Sequence, residues 1–122
     1  IQYDLSISPQ DVYQFTPADI SDVDIEKLVP DHYALAQNYP NPFNPITQIK
    51  YSIPKGGAVE LVVYDVLGRE VRRLINTKLQ AGKHIAVWDG KNHFGEHVGT
   101  GMYFYRLKAG NFLKTRKMIL LK

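Results

Sequence analysis

The sequence predicts an all-β fold, an antiparallel β-sandwich of about seven short strands. Three observations carry this reading. From Ile46 onward, apolar and polar residues alternate with a period of two in one short run after another. Clusters of Gly, Pro and Asn separate those runs at strand-length intervals. Within the same region no stretch of ten residues has the spacing of an amphipathic helix. At 122 residues the chain has the length of one compact domain.

The first 32 residues read as a linker or the end of a preceding passenger, and residues 33–122 as the folded body. Tyr3, Leu5 and Ile7 alternate with polar neighbours and predict one strand that Pro9 stops. Thr16-Pro17 is a helix or turn start, with Thr16 as cap and Pro17 at the first position. Ile20, Val23, Ile25 and Leu28 have only weak helical spacing, and Pro30 closes the stretch. Asn38-Tyr39-Pro40-Asn41-Pro42-Phe43-Asn44-Pro45 then places three prolines within six residues. Each fixes its own φ and pushes the residue before it away from helix. This predicts a stiff, extended, proline-rich arm leading into the body, with Tyr39 and Phe43 available to pin it.

Strands follow in order. Ile49, Tyr51 and Ile53 form the first alternating set, ended by Pro54-Lys55-Gly56-Gly57. Val59, Leu61 and Val63 form the second, and Leu67-Gly68-Arg69 turns into a third over Glu70–Ile75. Gln80-Ala81-Gly82 turns into His84–Trp88, where either Val87 or Trp88 faces inward. A Gly-, Asn- and His-rich loop covers Asp89 to Gly101. Two last runs, Met102–Lys108 and Phe112–Leu121, are joined by Ala109-Gly110-Asn111, a hairpin signal. The expected core adds Val71, Leu74, Tyr103, Tyr105, Leu107, Met118 and Leu120, so the final strand is structural as well as terminal.

Composition excludes several chemistries. There is no cysteine, hence no disulfide framework, thiolate nucleophile or Cys-rich zinc site. No apolar run approaches the roughly 18 residues of a membrane helix. The chain opens at Ile1 without Met or signal peptide and reads as a piece of a longer precursor. The net charge of +3 hides a division. Residues 1–33 hold seven acids against Lys27, net −6, while the remainder holds five acids against fourteen bases, net +9.

Motifs with catalytic overtones lack their context. His93-Phe94-Gly95-Glu96-His97 fits an H-x-x-E-H zinc-peptidase pattern, which needs a helix to bring both imidazoles to one face. Gly95 and the surrounding glycines predict a loop, with room only for adventitious metal. Asp89-Gly90-Lys91-Asn92 lacks the spaced acids of a calcium loop, and Gly99-Thr100-Gly101 lacks the Lys of a phosphate cradle. The sequence therefore offers no catalytic, cofactor-binding or metal-ligating set. Trp88, Tyr103 and Tyr105 are the candidate platform for a carbohydrate-binding module, although their alternation favours core roles. No nucleic acid partner is expected, because nothing requires aromatics and bases to share one exposed face. A structural alternative is a surface fibre in which Tyr3, Leu5 and Ile7 self-associate with a neighbour's sheet edge.

An ordered set of motifs is similar to the type A C-terminal sorting domains of the type IX secretion system. It begins with Leu35-Ala36-Gln37 and the Asn38–Pro45 arm, and continues through Ile49–Pro54 and Val63–Val71. It takes in Ala81–His84, Trp88-Asp89-Gly90 and Gly99–Leu107, and ends with Lys117–Lys122. The fold also resembles the immunoglobulin-like domain of flagellar hook-capping proteins. The resemblance implies a non-catalytic label that directs a passenger from the periplasm of a Gram-negative bacterium across the outer membrane to the cell surface or beyond. It implies as partners the outer-membrane secretion machinery, a sortase-like processing peptidase, the passenger itself and surface lipopolysaccharide. Lys114, Arg116, Lys117 and Lys122 are the candidate charged contacts with the translocon, and Met118, Ile119, Leu120 and Leu121 the candidate apolar ones.

Overall fold

A computed structural model describes residues 29–122. The strand expected at Tyr3–Ile7 and the helix or turn start at Thr16-Pro17 lie outside the described residues. The described chain is all-β, in seven strands: β1 (Ala34–Leu35), β2 (Thr47–Ile53), β3 (Gly57–Tyr64), β4 (Glu70–Leu79), β5 (Gly82–Trp88), β6 (Gly101–Ala109) and β7 (Phe112–Leu120). They form two antiparallel sheets, one ordered β1-β2-β5 and the other β4-β3-β6-β7. The two-residue β1 carries no sequence period and was not among the expected strands.

Alternation sets the layers. Thr47, Ile49, Tyr51 and Ile53 on β2 and Ala86 and Trp88 on β5 face the second sheet, whose Leu61, Val63, Tyr105, Leu107, Met118 and Leu120 face them. The ambiguity between Val87 and Trp88 resolves to Trp88, which is fully buried, while Val87 is 52% exposed. Leu74 is half-buried against the same core. One departure from alternation is Val62, on the outer side of β3 yet 1% exposed. It pairs with Arg73 on one side and Arg106 on the other, and long arginine stems cover apolar neighbours while their heads stay wet.

Trp88 is the centre of this core. Its ring lies 5.5 Å from that of Phe43 and 5.3 Å from that of Tyr103, the latter edge-on, and its indole N–H donates to the Lys91 carbonyl at 2.9 Å. The indole is thus apolar on its faces and satisfied at its one polar atom, the condition for burying tryptophan without penalty.

Turns follow side-chain chemistry. Asp65 closes the β3–β4 loop: its Oδ1 accepts from the Leu67 and Arg69 backbone N–H groups at 2.9 Å each, and its Oδ2 accepts from the Arg69 guanidinium at 2.8 Å. The β6–β7 hairpin turns on Gly110, whose φ of +57° lies in the left-handed region. A Cβ there would also lie 2.8 Å from the Tyr33 hydroxyl.

Truncating the central ring tests this layering. Trp88→Ala is expected to lower the unfolding free energy by about 3–5 kcal/mol, read from chemical denaturation followed by Tyr fluorescence. A loss under about 1 kcal/mol would mean that the two sheets do not meet at Trp88.

Candidate functional site

The residues singled out by sequence converge on one border of the molecule, where the proline-rich arm meets the last strand. In the sheet β4-β3-β6-β7, strand β7 is an edge and would present a row of unpaired backbone groups. The arm closes the last part of that row. Phe43 forms a parallel bridge with Leu120: its N–H donates to the Ile119 carbonyl at 3.0 Å, and its carbonyl accepts from the Leu121 N–H at 2.9 Å. Asn41 Oδ1 accepts from the Ile119 N–H at 3.0 Å, and Gln37 Nε2 donates to the Lys117 carbonyl at 2.7 Å. Arg116 donates through Nε to the Leu35 carbonyl at 2.6 Å.

The arm is held by a buried polar knot. Asn38, 3% exposed, donates its backbone N–H to the Tyr105 phenol oxygen at 2.8 Å, and that phenol donates to the Ala36 carbonyl at 2.7 Å. The Asn38 side-chain amide donates to Thr47 Oγ1 at 2.9 Å and to the Pro40 carbonyl at 3.1 Å. Thr47, fully buried, donates to the same carbonyl at 2.9 Å. Every member has a partner, which is what lets so many polar atoms sit beside the core.

The arm is therefore bent and docked along the sandwich. Its three X-Pro bonds, before Pro40, Pro42 and Pro45, are cis. Phe43 is the pin that sequence reasoning expected, with its ring 2% exposed. Tyr39 is not: its ring is 79% exposed, and it holds only through backbone bonds to Gln48. Gly90 supports the crossing, because a Cβ there would lie 3.2 Å from the Pro45 carbonyl, and its φ is +75°.

The terminal strand divides its side chains between two roles. Met118 and Leu120 are buried, and Arg116 is half-buried with its bond to Leu35. Of the run Met118–Leu121, only Ile119 and Leu121 are therefore exposed on the folded surface. Lys114, Lys117, Ile119, Leu121 and Lys122 are exposed. Lys117 pairs with Phe104 and Ile119 with Met102 across the strands, so a mixed apolar and basic stripe faces out. The cross-strand component was invisible to a reading confined to the last strand.

The other candidates occupy ordinary structural places. Trp88, Tyr103 and Tyr105 are 0%, 8% and 0% exposed, so they offer no platform for a sugar. His93 and His97 sit in a turned loop rather than a helix, with Lys91 bridged to His97. His93 Nε2 lies 2.8 Å from Glu70, and Arg73 is 2.8 Å from the other oxygen of that carboxylate. Among the described residues no three metal-ligating side chains converge. Arg73 first, then His93, holds the Glu70 carboxyl below the usual carboxylate range, and the backbone and guanidinium of Arg69 do the same for Asp65.

Burial pushes the phenols of Tyr51, Tyr103 and Tyr105 above the ordinary 10.0, with a nearby Asp65 charge adding to it for Tyr103. The folded state favours the neutral phenols, while the unfolded chain ionises first. Their contribution is intact below pH 10.0 and lost as pH rises through the folded values. Tyr105→Phe is expected to cost about 1–3 kcal/mol at neutral pH, since it leaves the Ala36 carbonyl and the Asn38 N–H without their partner. Its stability should then fall less steeply than that of the parent in a denaturation series carried past pH 10.0; parallel curves would contradict the burial of this phenol.

Comparison with known proteins gives a consistent picture. A family described as the secretion system C-terminal sorting domain matches residues 37–121. Among solved structures, dimeric latent PorU from Porphyromonas gingivalis is similar with a TM-score of 0.60 at 22% identity, over 75% of this chain and 9% of that one. PorZ, an essential bacterial surface component of the type-IX secretion system of the same organism, is similar with a TM-score of 0.50 at 14% identity, over 73% of this chain and 12% of that one. FlgD from P. aeruginosa gives 0.48 at 24% identity, over 75% and 66% of the two chains. The likenesses to PorU and PorZ show the fold, and the chain spans only a small part of either. No curated protein matches the sequence.

Proposed function

Because this chain belongs to the secretion system C-terminal sorting domain family, and is a sorting domain of type IX secretion, we propose that its reader engages the outward stripe of the terminal strand. The stripe comprises Lys117, Ile119, Leu121 and Lys122, flanked by Met102 and Phe104. Secretion to the cell surface or outside follows from the family. The finer route is our reading: a precursor crosses the inner membrane of a Gram-negative bacterium, folds this domain in the periplasm, and presents the stripe to the outer-membrane machinery.

The observation that carries the proposal is the division of labour within β7. Met118 and Leu120 hold the strand in the core while Lys117, Ile119 and Leu121 remain solvent-facing, and the arm occupies the backbone edge beside them. A reader that demanded the free backbone of residues 117–121 would have to displace the arm; one that reads side chains need not. Lys114 is exposed but sits on the opposite face of β7 from the stripe, paired with the buried Leu107, and Arg116 contributes through the position it gives Leu35.

On this reading the domain itself does no chemistry, and processing belongs to a sortase-like peptidase acting on the segment before the arm. A passenger would precede residue 33, and release or attachment to surface lipopolysaccharide would follow removal of the label.

Deleting Lys117–Lys122 outright would strip core side chains and confuse misfolding with lost recognition. The sharper test exchanges only the displayed groups, in Lys117→Glu/Ile119→Ser/Leu121→Ser/Lys122→Glu fused behind a reporter passenger. The purified variant is expected to melt within a few degrees of the parent, since surface changes are typically worth under about 0.5 kcal/mol each. Export is expected to fall roughly tenfold or more, the equivalent of about 1.4 kcal/mol of lost recognition. Undiminished export of this folded variant would overturn the stripe as the readable feature.

A further inference from the structure

Along the sheet β1-β2-β5 runs a groove of about 540 Å³ whose polar lining is Lys50, Tyr51, Ser52, Lys83 and His84, with Arg116 of β7, and no carboxylate. Its shape follows from strand pairing. Lys50 sits opposite Ile85 and Ser52 opposite Lys83, so the two ammonium groups occupy diagonal corners of one cross-strand square. On the β1 side the lining is Ala34, Leu35 and Ala36, and the two alanines are too small to fill the space between. Ile85 is 57% exposed at the apolar corner. Neither lysine nor Arg116 is ion-paired with another described residue. The groove is thus an apolar floor ringed by uncompensated positive charge, and the occupant it favours is an acidic chain with apolar residues between its acids.

The sequence supplies such a chain shortly before the first residue of the groove lining. Asp19-Ile20-Ser21-Asp22-Val23-Asp24-Ile25-Glu26 holds four acids interleaved with three β-branched apolar residues and no base. Seven residues lie between Glu26 and Ala34, where the groove lining starts, so eight Cα-to-Cα steps join them. Fully extended, they reach about 26 Å, enough to bring the stretch onto the groove. We propose that this groove is the docking site of the acidic stretch Asp19–Glu26 of the same chain, its carboxylates on Lys50 and Lys83 and its apolar residues against Ile85. Each exposed ion pair is individually weak, but the covalent tether holds the acids at high effective concentration, so that several such pairs act together.

The test uses the whole chain, labelled with ¹⁵N, and the neutralised variant Asp19→Asn/Asp22→Asn/Asp24→Asn/Glu26→Gln. Amide signals of Ala34, Ala36, Lys50, Ser52, Lys83 and Ile85 are expected to differ between the two proteins while those of β6 and β7 coincide. Raising the ionic strength from about 10 mM to about 150 mM, which shortens the screening length from about 30 Å to about 8 Å, should move the parent's groove signals toward the variant's and leave the variant's unchanged. Lys50→Glu/Lys83→Glu, both surface changes, should abolish the salt response in the parent background. Groove signals that are identical in parent and neutralised variant would overturn the proposal. Differences that scale with protein concentration would overturn it too, by assigning the groove to a second copy's acidic stretch.

Discussion

The parallel bridge between Phe43 and Leu120 is the contact on which the rest of the structure depends. A sandwich whose last strand is also its sheet edge faces two demands at once: its inward side chains must fill the core, and its outward backbone groups must find partners. Met118 and Leu120 meet the first demand. The second is met by a segment about 77 residues earlier in the chain, whose Phe43 backbone bonds Ile119 and Leu121 on either side of Leu120. The same Phe43 ring then packs on Trp88, so edge closure and core filling share one residue. The docked arm also brings Asn38 to Tyr105 and Leu35 to Arg116, which is why the polar knot and the short β1 lie where they do.

Much of this architecture is legible in the sequence because it rests on local periodicity. Period-two alternation identified the core faces of β2, β3, β6 and β7, and the Gly110-Asn111 turn marked the last hairpin, because both signals concern residues a few positions apart. What stayed hidden depends on pairing across the chain. β1 is two residues held by partners about 16 residues on, too short to show a period. Asn38 reads locally as a turn cap, yet its partners Thr47 and Tyr105 are 9 and 67 residues away. Tyr39 and Phe43 look equivalent as aromatic pins; only the docking of the arm makes one buried and the other exposed.

The candidate site follows the same rule. The basic and apolar letters of Lys114–Lys122 are visible in the sequence, and strand alternation alone separates Met118 and Leu120 from Lys117, Ile119 and Leu121. Two further facts could not be read there. Met102 and Phe104 join the outward stripe through the register of β6 with β7. Arg116 is drawn from the list of displayed charges by a backbone carbonyl 81 residues earlier. Sequence thus defines which residues share a face, and topology defines which faces meet.

The two ends of β7 are held by different parts of the chain. The chain joins the body beside the β6–β7 hairpin, where Tyr33 stacks on Phe112 at 5.3 Å and its hydroxyl lies against Gly110. At the other end of the strand, Leu120 lies near Phe43 and Gly90. These points are the opposite ends of β7, whose nine residues span about 27 Å at the rise of an antiparallel strand. Tyr33 and the outward residues on either side of Leu120 are therefore separated by the length of β7. Joining them rigidly is the role of β7 itself, with Phe112 packed at one end, Met118 and Leu120 at the other, and the arm lying along the edge between. A strand anchored at both ends in this way cannot peel from its sheet without opening the Trp88 core, so the outward stripe is intact only while the whole domain is folded.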